Sequence, residues 1–484
     1  MQTTYEIIAI ALYMLLMLAI GVYAYRKSTS NSEEFLIGGR KLGPAVTALS
    51  AGAADMSGWL LMGLPGAMYI AGMSSSWIII GLVIGAYLNY LIVAPRLRIY
   101  TEKAQNAITL PVFFENRYAD KSQLLKITSS LFILIFFTLY TSSGMVSGGK
   151  LFQSAFGFDY SVGLWVTGLV VVCYTFLGGF LAVSLTDFVQ GTIMVLALIV
   201  VPIVAISTIG GWNETWDLVE QKGENYLNLF SGTTTISIVS LLAWGLGYFG
   251  QPHILVRFMA IDKVENIKKA RRIGMVWMIF TVTGAALVGL IGIAFLQKFD
   301  TSTMAQMDAS KAAAETIFIY FSRVLFHPLI AGFLLSAILA AVMSTISSQL
   351  LVTSSSLTED IYKTFLHQQA TPKQLLIASR ISVLLVALIA MLLALTPKDT
   401  ILNLVGNAWA GFGAAFGPLV LIALLHKKST WQGALAGMLV GGITVLAWVY
   451  LPHDYKAVYE IIPGFILALT TNLLVSKITY KKGQ

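Results

Sequence analysis

The sequence predicts an all-α integral membrane protein with thirteen transmembrane helices. Hydrophobic residues make up 57% of the 484 residues and charged residues only 11%, well below the roughly 25% that is typical of soluble domains. The apolar residues lie in long runs, and about 20 such residues allow one helix to cross a bilayer. Barrel strands would be shorter and would alternate in polarity, so helices are the expected spanning element.

The apolar runs predict a first additional span, two sets of five spans, and two last spans, all within one transmembrane domain over residues 1–484. Residues 7–25 carry no charge, and residues 42–95 hold two spans that divide near residues 72–75. The repeat units are predicted at residues 43–210 and 233–425, and the last pair at 430–476. The other spans are predicted at residues 127–149, 160–186, 188–212, 234–256, 273–297, 324–350, 380–396, 400–425, 430–450 and 459–476.

The basic residues predict the orientation of the chain. Most of the 31 Lys and Arg residues, Arg257 among them, fall in the connections on one side of the predicted spans. Because cytoplasmic loops retain Lys and Arg, we expect an outer N-terminus and a cytoplasmic C-terminus in a bacterial inner membrane. The net charge of +8 then has a source other than nucleic-acid binding. The single cysteine excludes a disulfide framework and a cysteine metal site.

Two spans contain clusters that weaken a helix near its middle. The second span contains residues 52–58 and the seventh contains residues 245–252, both rich in Gly and one with Pro. In a helix interior Gly costs about 1 kcal/mol and Pro about 3 kcal/mol relative to Ala. Because the two breaks lie five spans apart, spans 2–6 and 7–11 are predicted to form two repeats of inverted topology. Paired interrupted spans are typical of a transporter's binding site.

Asp55 lies inside the first break and is the one charged residue of 42–95. A charge at the bilayer centre costs at least ~2.5 kcal/mol, so a functional role is expected, as a cation partner or a proton relay. A hard cation prefers oxygen ligands. Freed carbonyls of Ala53 and Met56 and the hydroxyls of Ser344 and Thr345 could supply them. The alternative is that these hydroxyls only bond their own helix.

The sequence also predicts a site for a small zwitterion. The ends of broken helices carry partial charges that suit a carboxylate and an ammonium group. Trp244, Tyr248 and Pro252 recur every four residues, on one face of a regular helix, and Tyr140 lies in the fourth span. Together they would form an apolar wall for a compact ring. Asp187 is expected at the cytoplasmic mouth of the sixth span, where an ordinary interfacial charge is the alternative.

Several contiguous motifs resemble the sodium/proline symporters of the sodium/solute symporter family. The clearest is SAGAADMSGWLLMGLPG at residues 50–66, and the likeness extends over almost the whole chain. The other similar segments are Tyr174–Asp187, Trp244–Pro252, Leu335–Thr345 and Trp409–Pro418.

The resemblance implies a fold and residue roles. It implies thirteen spans, an outer N-terminus and the inverted-repeat fold first described for LeuT. It implies a sodium site formed by the backbone of Ala53, Met56 and Ala341 with the hydroxyls of Ser344 and Thr345. Asp55 is implied as essential for sodium-linked transport, and Asp187 in sodium release. The residues implied at or near the proline site are Ser57, Gly58, Tyr140, Trp244, Tyr248 and Pro252.

The expected function is therefore symport of L-proline and sodium into the cell by alternating access, with sodium as the co-transported ion and the lipid bilayer as the surroundings. The alternative is a proton- or sodium-coupled symporter of another small solute, with Asp55 titrating during the cycle. An enzyme is not expected, because the sequence shows no nucleophile–base pair and no metal-ligand spacing. The sequence makes no prediction of the oligomeric state.

Overall fold

The computed structural model describes residues 2–27, 32–223, 226–397, 399–448, 450–451 and 457–480. Over these residues the chain is helical, apart from an isolated parallel bridge between Leu42 and Ile261. Ten helices in the described part of the chain are long and apolar enough to cross a membrane. The predicted all-α membrane fold is thus confirmed.

The first half of the chain alternates long apolar helices with short connecting ones. Two 3-10 turns lie at Gly38–Arg40 and Gly72–Ser76, and two π-helical turns at Trp59–Gly63 and Asn89–Val93. The α-helices are α1 (Gln2–Lys27), α2 (Ser32–Ile37), α3 (Pro44–Asp55), α4 (Leu64–Ala71), α5 (Trp77–Leu88), α6 (Ala94–Lys103), α7 (Leu110–Tyr118), α8 (Leu124–Phe156) and α9 (Tyr160–Ile209).

The second half begins with another set of short helices and ends with long ones. Its 3-10 segments lie at Ala243–Gly250 and Val264–Asn266, and a π-helical segment at Ser356–Leu366 extends α17. The α-helices are α10 (Trp212–Lys222), α11 (Thr235–Leu242), α12 (Pro252–Ala260), α13 (Ile267–Phe299), α14 (Thr301–Ala309), α15 (Lys311–Ala314), α16 (Ile317–Val324), α17 (Pro328–Ser355), α18 (Pro372–Ala394), α19 (Ile401–Leu425), α20 (Trp431–Trp448) and α21 (Ile461–Thr479).

Helix α9 has 50 residues, about 75 Å at 1.5 Å per residue, more than twice the thickness of the hydrocarbon core. The helix is interrupted at Gly179, where φ is 53° and ψ is −143°. A Cβ at Gly179 would also lie 2.5 Å from the ring of Phe35, so glycine suits the position for two reasons. The predicted boundary at Asp187 is wrong, because the conformational freedom of glycine places the break about two helical turns earlier.

Both predicted interior breaks are confirmed. Helix α3 ends at Asp55, and Met56 follows with φ −81° and ψ 76°, outside the helical region. In the seventh span α11 passes into the 3-10 segment at residues 243–250, and Gln251 is extended with ψ 104° before Pro252 begins α12. Pro at the first helical position needs no hydrogen-bond acceptor for its nitrogen, so it favours this restart.

Helix α5 packs directly against the broken seventh span through glycines. A Cβ at Gly85 would meet the backbone carbonyl of Gly245, and a Cβ at Gly81 would meet that of Leu242. A Cβ at Gly245 would in turn meet the carbonyl of Gly81. Two backbones therefore touch with no side chain between them, as in small-residue contacts between membrane helices.

One end of the bundle, which we call the basic end, is formed by the connections at residues 38–43, 104–109, 261–266, 367–371 and 426–430. Arg40 joins two of them to the end of α12 by donating to the carbonyls of Met259 at 2.6 Å and Ala107 at 2.8 Å and to Oδ1 of Asn106 at 2.9 Å. Burial, with help from the neighbouring charge of Arg98, lowers the pKa of Arg40 to about 10. Arg40 therefore stays a cation at neutral pH and continues to hold these connections together.

At the opposite end a carboxylate joins three helices. Glu315 accepts hydrogen bonds from Nζ of Lys150 at 3.0 Å and from the backbone N–H groups of Ile401 and Leu402 at 3.2 and 3.3 Å. A carboxylate is stabilised at a helix N-terminus, here that of α19. The predicted outer connection at residues 298–323 is thus folded into the short helices α14–α16 and tied to α8 and α19.

Gly85→Ala should destabilise the protein by about 1–3 kcal/mol, because the new methyl group meets a backbone carbonyl that cannot move aside. The measurement is the thermal unfolding midpoint of the purified protein in detergent. Gly191→Ala is the matched control, since its Cβ would make only contacts of 3.6 Å or more in the middle of α9. Equal midpoints for the two variants would contradict the predicted backbone contact.

Candidate functional site

The break after α3 lies against the middle of α17, and this contact brings together four of the predicted sodium ligands. The hydroxyl of Ser344 donates to the carbonyl of Ala53 at 2.7 Å and to that of Ala341 at 3.1 Å. The hydroxyl of Thr345 lies 3.4 Å from the carbonyl of Ala53 and 3.1 Å from that of Ala341. Two carbonyls and two hydroxyls thus form one compact cluster of oxygens.

The cluster has dimensions that suit a hard cation. When oxygens lie ~2.3–2.6 Å from a hard cation, as they do for Ca²⁺, neighbouring ligands in an octahedral arrangement are about 3.3–3.7 Å apart. The observed separations of 2.7–3.4 Å need only a small expansion, with the hydroxyl protons turned outward. Met56, with its non-helical torsions, lies directly after α3 and is 1% exposed, so its carbonyl is the fifth expected ligand.

The oxygens of this cluster are uncharged. The described residues contain no group of three or more His, Cys, Asp or Glu side chains that could hold a metal ion. Carbonyl and hydroxyl oxygens are suited to alkali and alkaline-earth cations rather than to transition metals. The chemistry of the cluster therefore favours a monovalent or weakly held cation.

Asp55 links the two broken spans. Its carboxylate accepts a hydrogen bond from the hydroxyl of Tyr248, and its backbone carbonyl accepts one from Nε1 of Trp59 at 3.3 Å. Asp55 is 2% exposed, and among the described residues its second carboxylate oxygen has no hydrogen-bond partner. A buried carboxylate with a free oxygen is costly unless it serves a ligand.

Two further predicted residues stand beside Asp55. Tyr140 of α8 lies close enough to Asp55 and Ser57 to interact with both. Within the described chain the hydroxyls of Tyr140 and Ser57 are buried and make no hydrogen bond of ordinary geometry. Gly58 lies where a Cβ would meet the side chain of Ser147, so the chain after the break packs tightly on α8. The unpaired polar atoms form a site in which a zwitterion could find both donors and acceptors.

The expected alignment of Trp244, Tyr248 and Pro252 on one face is wrong. A 3-10 helix has three residues per turn, so side chains four residues apart point about 120° apart. Tyr248 faces Asp55 and contacts Trp409 edge to face, with ring centroids 5.1 Å apart. Trp244 instead stacks on Tyr459 with centroids 5.3 Å apart. Pro252 lies beyond the break, at the start of α12.

Two cavities of different size lie beside the broken seventh span. A cavity of about 470 Å³ lies on the side of the opposite end and is lined by Trp244, Tyr459 and Asn403. A cavity of only about 30 Å³ lies on the other side of the break, next to Asp55 and Asn89. The structure therefore leaves a wide approach from the opposite end and packs the bundle tightly towards the basic end.

Asp187 was expected at the mouth of a span. It is instead fully buried in the second part of α9. Its Oδ2 accepts from Ser50 at 2.6 Å and from Nη2 of Arg257 at 3.2 Å. Arg257 also donates to Ser348 at 2.5 Å and to the carbonyl of His253 at 2.7 Å. The prediction that Arg257 lies in a connection on the basic side is therefore wrong, because Arg257 is fully buried within α12.

The buried ion pair is the part of the site that the sequence did not predict. Ser348 lies one helical turn after Ser344, so the pair of Asp187 and Arg257 is directly adjacent to the oxygen cluster. One signal could have found Arg257. It is flanked by the apolar residues Val256 and Phe258, which is unusual for an arginine in an exposed connection. A fully buried arginine needs a charged partner, and Asp187 supplies it.

The sequence was compared with known families and proteins. The profile of the sodium:solute symporter family matches residues 35–441. The chain is 58% identical to the osmoregulated proline transporter OpuE of Bacillus subtilis, over 99% of this chain and 96% of that protein. It is 54% identical to a sodium/proline symporter of Staphylococcus aureus, over 98% of this chain and 93% of that protein.

Two solved structures share the fold. A sodium-coupled sialic acid symporter in a substrate-bound, outward-open state superposes with a TM-score of 0.81 at 18% identity, over 98% of both chains. Mhp1, a nucleobase-cation-symport-1 family transporter in a closed conformation, gives a TM-score of 0.55 at 13% identity, over 94% of this chain and 96% of that one. The helix arrangement described above is thus the one found in these two transporters.

Asp187→Ala should destabilise the protein strongly, by about 3–5 kcal/mol, because it leaves the buried guanidinium of Arg257 unpaired. Arg257→Met should also destabilise it, and the double variant should lose much less than the sum of the two. The thermal unfolding midpoints of the purified variants measure these differences.

Glu102→Ala is the control for these three variants. Glu102 forms an ion pair with Arg98, and the side chain of Glu102 is 63% exposed. Because exposed ion pairs contribute at most about 1 kcal/mol, this substitution should change stability little. Strictly additive effects of the Asp187 and Arg257 substitutions would contradict the ion pair.

Proposed function

Because this chain belongs to the sodium:solute symporter family, we propose that it is a symporter that carries L-proline into a bacterial cell together with sodium. It is a multi-pass membrane transporter and not an enzyme. The observation that carries the proposal is the oxygen cluster of Ala53, Ala341, Ser344 and Thr345 beside Asp55, one carboxylate oxygen of which has no partner among the described residues. The chain is also 54–58% identical to proline transporters over nearly its full length.

Sodium is the driving ion in this proposal, and the oxygen cluster is its site. The ion would be held by the backbone of Ala53, Met56 and Ala341 and by the hydroxyls of Ser344 and Thr345. It would join the broken end of α3 to α17 and order the backbone next to Asp55. An ion that raises the affinity for proline in this way must itself be bound more tightly when proline is present, because coupling between two sites is reciprocal.

Proline would bind on the other side of the break, next to Asp55. Its ammonium group carries a positive charge that suits the Asp55 carboxylate and freed carbonyls, and its carboxylate can accept from the hydroxyls of Ser57 and Tyr140. The compact ring would lie against aromatic side chains. The residues that we assign to this site are Asp55, Ser57, Gly58, Tyr140, Trp244, Tyr248 and Pro252, with Trp244 towards the wide cavity and Pro252 towards the basic end.

Asp187 would act in the release of sodium. Its Oδ2 is occupied by Arg257 and Ser50, whereas Oδ1 has no hydrogen-bond partner in the described chain. A sodium ion leaving Ser344 would meet this carboxylate one helical turn away. Arg257 can then replace the ion as the partner of Asp187, so the buried charge is never left uncompensated.

We further propose thirteen spans with the inverted repeat of LeuT. Ten helices are long enough to cross by themselves. One of them, α9, has the length of two spans, one before and one after Gly179, which makes eleven. The remaining two are the broken spans, α3 with α4 and α11 with α12. The repeats would cover residues 43–210 and 233–425, between the extra first span at 7–25 and the last pair at 430–476.

The orientation that we propose places the basic end in the cytoplasm. Lys and Arg in the connections of that end are retained on the cytoplasmic side. The C-terminus is then cytoplasmic, the N-terminus lies outside, and the cavity of about 470 Å³ opens to the exterior. This arrangement lets solute reach Trp244 from outside while the basic end is closed.

A second candidate is a proton- or sodium-coupled symporter of another small solute. The observation that favours a proton is the carboxylate of Asp55, which lies within the membrane with one oxygen unpaired among the described residues. Sodium and proton coupling predict different driving gradients, so one experiment separates them.

Purified protein in proteoliposomes should accumulate radiolabelled L-proline when an inward sodium gradient is imposed at equal pH on both sides. A proton gradient without sodium should drive little uptake, because the oxygen cluster binds a metal cation. Uptake that follows only the proton gradient would contradict sodium coupling. Sodium-driven uptake of another amino acid, with proline neither transported nor competing, would contradict the assignment of the solute.

Ser344→Ala should raise the sodium concentration for half-maximal uptake by roughly tenfold or more, because an oxygen bonded to a charged group contributes about 1.5–3 kcal/mol. Thr345→Ala should act in the same direction. Ser336→Ala is the matched control on the same helix, since its hydroxyl bonds only the carbonyl of Gly332 in its own helix. Unchanged sodium dependence in both site variants would remove α17 from the sodium site.

A further inference from the structure

Helix α17 stays polar and buried well beyond the oxygen cluster. Towards the basic end, Ser348, Gln349, Ser355 and Asp360 are each less than 9% exposed. Residues 349, 352 and 356 follow one helical face at the 3.6-residue period, and the π-helical segment then carries the chain on to residue 360. A polar face inside a membrane protein is costly unless it serves a pathway or a ligand.

A narrow cavity runs along this face. It measures about 10 Å³ and is enclosed by Pro252 and Val256 of α12, Val352 and Ser355 of α17, and Thr109 before α7. A volume of this size is just enough for one water molecule. Because Pro252 begins the helix directly after the break in the seventh span, the cavity lies between the region of the break and the basic end.

Unpaired polar atoms lie next to this cavity on the side of the break, because Gln349 is one helical turn before Val352 and His253 follows Pro252. The Nε2 of Gln349 is buried without a partner in the described chain, while its Oε1 accepts from Thr141 at 3.1 Å. His253 is fully buried with its ring edge-on to Phe137 and Tyr140, at 5.3 and 6.0 Å between centroids. These groups lie between the zwitterion site and the cavity.

A buried hydrogen bond joins Thr109, at the end of the cavity that faces the connections, to Asp360. The hydroxyl of Thr109 donates to Oδ1 of Asp360 at 2.7 Å, and Oδ2 of Asp360 is buried without a partner among the described residues. The same hydroxyl oxygen accepts from the N–H of Val112 at 3.2 Å and caps α7. Asp360 lies in the π-helical segment at residues 356–366, and such segments are frequent at functional sites.

We propose that the face of α17 from Gln349 to Asp360 is the route by which sodium and the zwitterionic solute leave towards the basic end, and that the Thr109–Asp360 hydrogen bond is the latch that closes it. This proposal rests on the proposed transport function. Hydroxyl, amide and carboxylate oxygens offer a cation successive partners along the route. Separation of α7 from the π-helical segment widens the cavity and frees the Asp360 carboxylate for a departing ion.

The test uses a cysteine reporter inside the cavity. The single native cysteine, Cys173, is exposed and is replaced by Cys173→Ser. In this background Ser355→Cys is treated with a small, membrane-impermeant cationic thiol reagent from the side of the basic end. Labelling should be slow without solutes, because the latch is closed, and should be accelerated by sodium and proline together.

Opening of the latch should accelerate labelling without any solute. Thr109→Val should raise the rate by about tenfold or more, which corresponds to losing about 1.4 kcal/mol of closure, and Thr109→Ser should restore the slow rate because it keeps the hydroxyl. Asp360→Ala should give the same acceleration. This last variant leaves the cap of α7 intact, so a rate increase there cannot come from the loss of the cap.

Two reference cysteines calibrate access. Ser354→Cys is the matched buried control, because the hydroxyl of Ser354 points away from the cavity and donates to the carbonyl of Ser379 at 2.6 Å. It should stay unlabelled in every latch variant. Lys427→Cys, exposed at the basic end, should be labelled quickly in all of them. Val352→Cys lines the same cavity and replaces the reporter if Ser355→Cys does not fold.

Labelling of Ser355→Cys that is no faster than that of Ser354→Cys, with or without Thr109→Val, would overturn the route. Labelling that rises with Thr109→Val but not with Asp360→Ala would overturn the latch. Proline uptake by the Cys173→Ser protein in the same vesicles is measured separately. Failure of that uptake contradicts the transport proposal, whereas normal uptake with an unresponsive reporter contradicts only the route.

Discussion

The structure depends on one constraint, which is that a backbone group inside a bilayer must find a partner. The end of α3 at Asp55 and the 3-10 segment before Pro252 violate the regular helical pattern at membrane depth. The protein meets the constraint by packing α17 against the first break, where the hydroxyls of Ser344 and Thr345 bond the carbonyls of Ala53 and Ala341. The same oxygens are the right type and spacing for a hard cation. Structural compensation and the proposed ion binding therefore use one set of atoms.

Asp55 links the first break to the second. Through the hydroxyl of Tyr248 it connects the second span to the seventh. The ion pair of Asp187 and Arg257 connects the sixth span to the part of the seventh span that follows the break, nearer the basic end. Both contacts are buried, so neither is screened by solvent. A movement of one broken span therefore moves the other, because each contact contains a buried charged group that is costly to leave without a partner.

The fold was largely predictable from the sequence, and the details of the site only in part. Long apolar runs predicted the helices, and Gly and Pro clusters located the breaks at residues 52–58 and 245–252, because these signals are local. The break at Gly179 differs from the predicted boundary at Asp187, because the chain bends where the torsions of glycine allow it and not at the nearby charge. Trp244 and Tyr248 were assigned to one face because a local pattern does not reveal a 3-10 helix. Arg257 was assigned to a connection because its partner lies 70 residues away, and only tertiary packing brings the two together.

The glycine contact between α5 and the seventh span has a consequence for how the site can diverge. Gly81, Gly85 and Gly245 join two main chains with no rotatable group between them, so the joint has no side-chain volume that could be exchanged. In the proposed site, a change of solute size must then be accommodated by the facing helices, where Tyr140 and Trp409, the neighbour of Tyr248, can be replaced by smaller residues. We therefore expect specificity within such a scaffold to evolve on α8 and α19, while the glycine joint stays unaltered and acts as a fixed reference for the moving parts.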